Sequence, residues 1–216
     1  MPVKPTIVLD LDGTLIDNSV RHFEVYKFLS SNLGITNILK QKEYWDLRRG
    51  GLSNIQVMLY RGMAPSLRNL VFARWMEMIE NDEMLRRDNH FPGVKEWLWN
   101  AEKLFNLYLI TLRKNITLVN DQIDRMGIMS FFRKVICVSH DRDPATSKAK
   151  AFDMQARKKI EVWIGDSEVD LQAAQIIGTK FIAVSSGVRD EKWLRSAGAT
   201  EIYRFITEID LETLIL

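Results

Sequence analysis

The chain has 216 residues, 46% hydrophobic and 27% charged, and 30 Lys+Arg against 28 Asp+Glu leave a formal charge of only +2. That is enough chain to bury a core as one domain or as one domain carrying a smaller insert, and too balanced a charge for a nucleic-acid binder or a polybasic membrane protein. One cysteine, Cys137, excludes an internal disulfide framework and, within the apolar run Val135–Val138, reads as a small buried thiol.

Thr6–Leu9 reads as a buried strand. Asp10 cuts its apolar run short, so it makes no signal-peptide core, and no run approaches the roughly 18 residues of a spanning helix. The expectation is a cytoplasmic protein with no membrane partner. From Asp17 to His90 no comparable β-branched run occurs. Val20, Phe23, Phe28, Leu29 and Leu33 suggest a helix stopped near Gly34, and Lys40–Arg49 suggests another ending at Gly50-Gly51. Leu67, Leu70, Val71, Trp75, Met78 and Ile79 fall at steps of three and four, one stripe of a third. Residues 17–90 are therefore expected to be an inserted α-helical cap, with Phe91-Pro92-Gly93 marking the return to a core made of residues 1–16 and 91–216.

Beyond that boundary Phe105–Ile110, Lys134–Val138, Val162–Ile164 and Phe181–Val184 read as strands covered on both faces. Residues 115–126 and 168–177 read as helices, the second stopped by Gly178. The alternation predicts an α/β fold with a doubly wound parallel sheet. Trp75, Trp97, Trp99 and Trp163 fall in apolar patterns and are expected in the core.

Strand one runs straight into Asp10-Leu11-Asp12-Gly13-Thr14-Leu15-Ile16-Asp17. In open α/β sheets, ligands bind beyond the carboxyl ends of the strands. Asp10 and Asp12 are two apart, so in extended backbone both point the same way, and their repulsion calls for a cation or a shared proton. Gly13 permits a tight turn after them. A second acidic pair, Asp166 and Asp170, follows the strand ending at Ile164. Oxygen ligands converging from several elements are what a Mg²⁺ site acting on a phosphate needs. Thr111 ends another strand, and its hydroxyl with the backbone of Leu112 and Arg113 can hold a phosphate oxygen. Lys148 and Lys150 follow strand Lys134–Val138 at the start of a further helix. Ser147 can cap that helix and place Lys148 in its first turn, so Lys148 is preferred as the neutralising ammonium.

These four segments, in this order, resemble the motifs of the haloacid dehalogenase superfamily. Asp10–Asp17 matches the pattern Asp-x-Asp-Gly-Thr-Leu-x-Asp without departure, and Gly165-Asp166-Ser167-x-x-Asp170 looks like the fourth motif. The helical block lies where the family inserts its C1-type cap, and the nearest branch is similar to phosphoglycolate phosphatases and β-phosphoglucomutases. The third motif departs: many relatives carry Lys-Pro where this chain has Thr146-Ser147-Lys148-Ala149-Lys150. The resemblance implies Asp10 as nucleophile, Asp12 as general acid and base, and Thr111 and Lys148 on the phosphoryl group. It also implies Mg²⁺ held by Asp10, the Asp12 carbonyl, Asp166 and Asp170.

The implied activity is a Mg²⁺-dependent phosphatase acting on a small phosphorylated metabolite. The alternatives are a sugar-phosphate phosphomutase and a non-catalytic binding protein. Dehalogenation is disfavoured, since those relatives do not use an Asp at the second acidic position and need no metal. Arg48 and Arg49, ending a cap helix beside Gly50-Gly51, are expected to reach a second anionic group on the substrate. Arg113 is expected to bind substrate too. Nothing in the sequence bears on oligomeric state.

Overall fold

Thr6–Asp10 (β1) is wholly buried and lies between two parallel neighbours, Asn106–Thr111 (β4) and Ile160–Gly165 (β6). The computed structural model describes residues 4–139, 142–152 and 160–215. A two-stranded antiparallel ribbon, Ile16–Asp17 (β2) with Asn89–His90 (β3), brackets the first helices of the chain. Phe132–Cys137 (β5), Lys180–Val184 (β7) and Ile202–Tyr203 (β8) complete a six-stranded parallel sheet of order β5-β4-β1-β6-β7-β8. The chain winds outward from β1 through β4 to β5, then returns to β1's other side for β6. A crevice therefore opens beyond the carboxyl ends of β1 and β6, where the winding reverses.

Alternation along β1 explains why the sheet needs two covering layers. Ile7 and Leu9 pack with Leu107, Leu109, Trp97, Leu98, Val119 and Ile123, under helices Val94–Leu104 (α6) and Ile116–Arg125 (α7). Val8 points to the opposite face and packs with Ile110, Phe152, Trp163, Ala173 and Ala174. That face is covered by Pro144–Lys150 (α8) and Glu168–Ile177 (α9), whose C-terminus is capped by Gly178 at φ +80°. A further helix, Glu191–Ala197 (α10), packs Leu194 against Ala183 of β7.

Between the two strands of the ribbon lie Ser19–Asn32 (α1), Gln41–Arg49 (α2), Asn54–Tyr60 (α3), Arg68–Met78 (α4) and Asp82–Leu85 (α5). They share an apolar cluster of their own, including Val25, Tyr26, Tyr44, Met58, Val71 and Trp75. No described helix is long and apolar enough to cross a membrane.

Several expectations need correction. Phe28 is exposed, because the buried stripe of α1 runs through Arg21, Val25 and Leu29 instead. Leu70 is exposed too, one position off the buried Val71–Trp75 line. Trp99 lies on the solvent side of α6 with the Lys103 ammonium over its ring. Cys137 is partly buried, and burial pushes its thiol up to about 11. Helix α8 is capped by Asp143, which accepts from the Thr146 N–H, and begins with a proline. Ser147 is therefore inside the helix and Lys148 sits in its second turn.

Candidate active site

The carboxyl ends of β1 and β6 bring three buried carboxylates together. Asp10 is the last residue of β1, Asp166 follows β6, and Asp170 lies in the first turn of α9. One ligand oxygen from each falls within 4.8 Å of the others. Lys148 reaches into this cluster, donating to Asp10 Oδ1 at 2.6 Å and to Asp170 Oδ1 at 2.6 Å. Asp170 is fixed further by the Ser167 hydroxyl at 2.6 Å. Asp166 Oδ2 accepts from the Val188 N–H at 2.6 Å. Lys150, by contrast, is exposed.

The backbone closes tightly round Asp166. Gly13 adopts φ +84°, and a Cβ there would meet Asp166 Oδ2 at 2.3 Å. At Gly187 the same atom would stand 1.9 Å away. Glycine at both positions lets two loops approach a single carboxylate.

Three carboxylates against one ammonium leave a buried excess of negative charge. Burial pushes Asp10 up to about 7, against the pull of Lys148. Burial and the neighbouring charges of Asp10 and Asp170 hold Asp166 well above the usual carboxylate range. Lys148 is desolvated, yet Asp10 and Asp170 more than compensate and raise it. A clustered set of hard oxygens, short of positive charge and aimed at one point, fits a divalent ion such as Mg²⁺.

Asp12 does not join this cluster. Extended backbone ends at Asp10, and Gly13 closes a turn by donating to the Ile16 carbonyl at 2.8 Å, so the two aspartates diverge. The Asp12 carboxylate accepts from Arg113 Nε at 2.7 Å and Nη2 at 2.6 Å, and from Arg21 Nη2. Asn18 and the Thr111 hydroxyl add donors at 3.2 and 3.3 Å. Burial works to raise this carboxyl, but Arg113 and then Arg21 outweigh it and hold Asp12 far below the usual range. Behind the arginines, buried Asp88 lies 3.3 Å from Arg21 Nε and accepts from Gln122 at 2.8 Å. Burial, against the pull of Arg21, pushes Asp88 up to about 6.

One cavity of about 400 Å³ joins these groups, lined among others by Asp10, Asp12, Thr111, Leu112, Arg113, Lys148, Asp166 and Asp170. Arg48 also lines it, with Nη1 donating to the Leu52 carbonyl at 2.6 Å. Arg49 does not. Its Nη1 donates to the Gly187 carbonyl at 3.3 Å, and its own carbonyl accepts from the Asp190 N–H at 3.1 Å. Sequence spacing did not separate these adjacent arginines, which take different partners from α2's last turn. Arg189 donates to the Arg48 carbonyl at 3.0 Å while held in a bidentate pair by Glu168 at 2.7 Å. Together with Trp193 against Gly51, these contacts join the α2–α3 turn to the core.

Sequence reasoning missed Arg21, Asn18, Asp88, Glu168 and Arg189. Only Arg21 carried a local signal: it lies four and eight positions before Val25 and Leu29, on the stripe that α1 buries.

Residues 7–184 match the family model of the haloacid dehalogenase-like hydrolases. The chain is 26% identical over 204 residues to a phosphoglycolate phosphatase from Rhodobacter capsulatus, covering 86% of each protein. It is 26% identical over 199 residues to one from Mesorhizobium japonicum, covering 87% of this chain and 85% of that protein. Its fold is similar to that of a haloacid dehalogenase-like family hydrolase from Streptococcus pneumoniae, with a TM-score of 0.74 at 18% identity over 94% of this chain and 95% of that one.

Proposed function

The chain belongs to the haloacid dehalogenase-like hydrolase family, and from that footing we propose that it is a Mg²⁺-dependent phosphatase working through an aspartyl-phosphate on Asp10. The observation that carries this reading is the ammonium of Lys148 bridging Asp10 and Asp170 beside Asp166, at the carboxyl ends of β1 and β6. The substrate is a small phosphorylated metabolite. Phosphoglycolate enters as a candidate because the two similar phosphatases carry that name.

A carboxylate oxygen of Asp10 attacks phosphorus, and the bond to the substrate's ester oxygen breaks with its electron pair. Asp12, ionised in the free chain, takes up the proton of a phosphate monoanion as it binds, passes it to the departing alkoxide, then takes a proton from the water that attacks the acyl phosphate. That second attack releases inorganic phosphate and restores the Asp10 carboxylate. Lys148 and the Thr111 hydroxyl neutralise and orient the transferring oxygens. When bound, Mg²⁺ supplies further neutralisation from Asp10, Asp166, Asp170 and the Asp12 carbonyl. Arg113 is a donor that Asp12 and the phosphoryl group share, so an arriving phosphate competes for it and loosens the hold on Asp12. Residues 17–90 act as a cap that covers this chemistry from water.

Hydrolysis of p-nitrophenyl phosphate tests the reading. The wild-type chain is expected to turn it over with Mg²⁺ and to stop in excess chelator. Asp10→Asn is expected to lose turnover while keeping its fold by circular dichroism. Wild-type activity in Asp10→Asn, or full activity without a divalent ion, refutes it.

A further inference from the structure

The cavity's lining is of two chemical kinds. Its floor holds the carboxylates and Lys148. One wall carries Phe72, Trp75, Met76 and Ile79, at steps of three, one and three along α4 and its C-cap, so one helix face turns toward the cavity. Ile55 of α3 extends this apolar surface. A phosphoryl group with a short acid attached engages the floor and leaves this wall bare. The cavity, about 400 Å³, falls in the range of roughly 300–1,000 Å³ found for sites that bury larger organic ligands. Phe72, which lines this wall, is 51% exposed overall, a large aromatic presented rather than packed. Trp75 is buried beside it, its ring 5.9 Å from that of His22.

Five residues lining the cavity, Asn18, Arg21, His22, Arg48 and Arg113, each hold a buried polar atom without a hydrogen-bond partner among the described residues, and two guanidinium donors among them bear on the ligand's edge. Arg48 Nε and Arg113 Nη1 are buried without a hydrogen-bond partner among the described residues, and both side chains line the cavity. Buried donors call for acceptors, so the wall asks for a ligand that is flat and apolar on its face and accepting at its edge. An aliphatic acid meets only the second demand.

We propose that the substrate's leaving group carries an aromatic heterocycle, whose face packs on Phe72 and Trp75 and whose edge accepts from Arg48. The inference rests on the phosphatase reading and names its substrate class. Two kinds of ester share this chemistry, a nucleoside monophosphate and a phosphorylated pyridine alcohol.

The test compares kcat/KM of the Mg²⁺-loaded chain for AMP, pyridoxal 5′-phosphate, phosphoglycolate and glycerol 3-phosphate. At least one ring-bearing ester is expected to exceed both aliphatic esters tenfold or more, and which of the two does so identifies the source of the ring. In Phe72→Ala that preference is expected to fall at least fivefold, and in Phe72→Tyr to persist. A preference for phosphoglycolate or glycerol 3-phosphate, or a ring preference unchanged in Phe72→Ala, overturns the proposal. Binding to Asp10→Asn, measured by calorimetry with the same four esters, separates the two readings. Ring-selective binding without any turnover in the wild-type chain supports the subsite and refutes the phosphatase. Turnover without ring-selective binding or hydrolysis does the reverse.

Discussion

Replacing Lys148 by Met isolates the charge balance of the site. The ammonium is buried and makes two bonds of 2.6 Å, to Asp10 and Asp170. A methionine of similar length fills the space but leaves three clustered carboxylates with no cation among them. Removing one partner of a buried ion pair costs about 3–5 kcal/mol, and that is the loss expected in chelator at pH 7. The pH dependence has a definite sign. Burial already pushes Asp10 up to about 7 with Lys148 present, and without the ammonium it rises further. A carboxyl whose folded pKa lies above its unfolded value of about 3.9 penalises the fold more as pH rises between the two. Up to about pH 7 Asp10 resists ionisation in both proteins alike, so the stability gap between wild type and variant changes little there and widens above pH 7, where the wild-type carboxyl is ionised and the variant's is still protonated. Saturating Mg²⁺ should narrow it, since the more negative site binds a dication more tightly, and an ion at a hundred times its Kd contributes about 2.7 kcal/mol. Urea melts followed by tryptophan fluorescence, at pH 6 and 9 and with and without Mg²⁺, measure all of this. The exposed Lys150→Met is the control and should stay within about 0.5 kcal/mol of wild type. A pH-independent gap below 1 kcal/mol for Lys148→Met would refute the reasoning.

Asp166→Ala removes an oxygen from the carboxylate cluster and should raise the Mg²⁺ concentration for half-maximal hydrolysis roughly 10–100-fold, read from a metal titration of p-nitrophenyl phosphate turnover. Gly51→Ala introduces a Cβ that would stand 2.0 Å from the Trp193 ring at a backbone φ of +102°; a loss of about 1–3 kcal/mol in a urea melt is expected, and an unchanged melt would mean the α2–α3 turn does not bear on Trp193. Asp88→Asn tests the buried carboxyl behind the arginines. Asp88 is raised to about 6, so its ionisation works against the fold as pH climbs from about 4 to above 6. The variant should gain on wild type across that window by roughly 2–3 kcal/mol, whatever constant offset the substitution brings.

The sheet was legible because buried parallel strands write themselves as short continuous apolar runs. Each of the five expected strands overlaps an observed one. β8 has only two residues, Ile202 and Tyr203, and offered no run to read. Helix α3 did carry a local signal, Ser53 with Gln56 three residues on, and the two close a capping box. The carboxylates were legible for a different reason: Asp10 and Asp166 each follow an apolar strand, where topology leads to the crevice. The charges around Asp12 were not. Arg113 meets Asp12 across 101 residues of sequence, and Gln122 meets Asp88 across 34. A buried charge makes sense only beside its partner, and nothing local to Arg21 or Asp88 names one. Arg48 and Arg49 show the same limit at its smallest scale, since two identical neighbours were sorted by tertiary contacts alone.

Those long-range pairs also tie the position of the helices to the charge of the site. Arg21 is on α1, and it donates to Asp12, to the Ile79 carbonyl at the end of α4, and toward Asp88 next to the ribbon. Arg113 brings a second guanidinium to the same carboxylate from the core side. On the opposite rim, Arg189 and Asp190 of the core bond the carbonyls of Arg48 and Arg49. A displacement of the helices away from the core breaks the Arg189 contacts and draws Arg21 off Asp12 together, because both arginines cross the same gap. Asp12 would then keep one guanidinium, the core-side Arg113, beside the Thr111 hydroxyl, and the balance that holds it ionised would weaken. The contacts that seat the helices against the core and the charge on Asp12 thus share one arrangement of guanidiniums, with Asp88 as its buried counterweight.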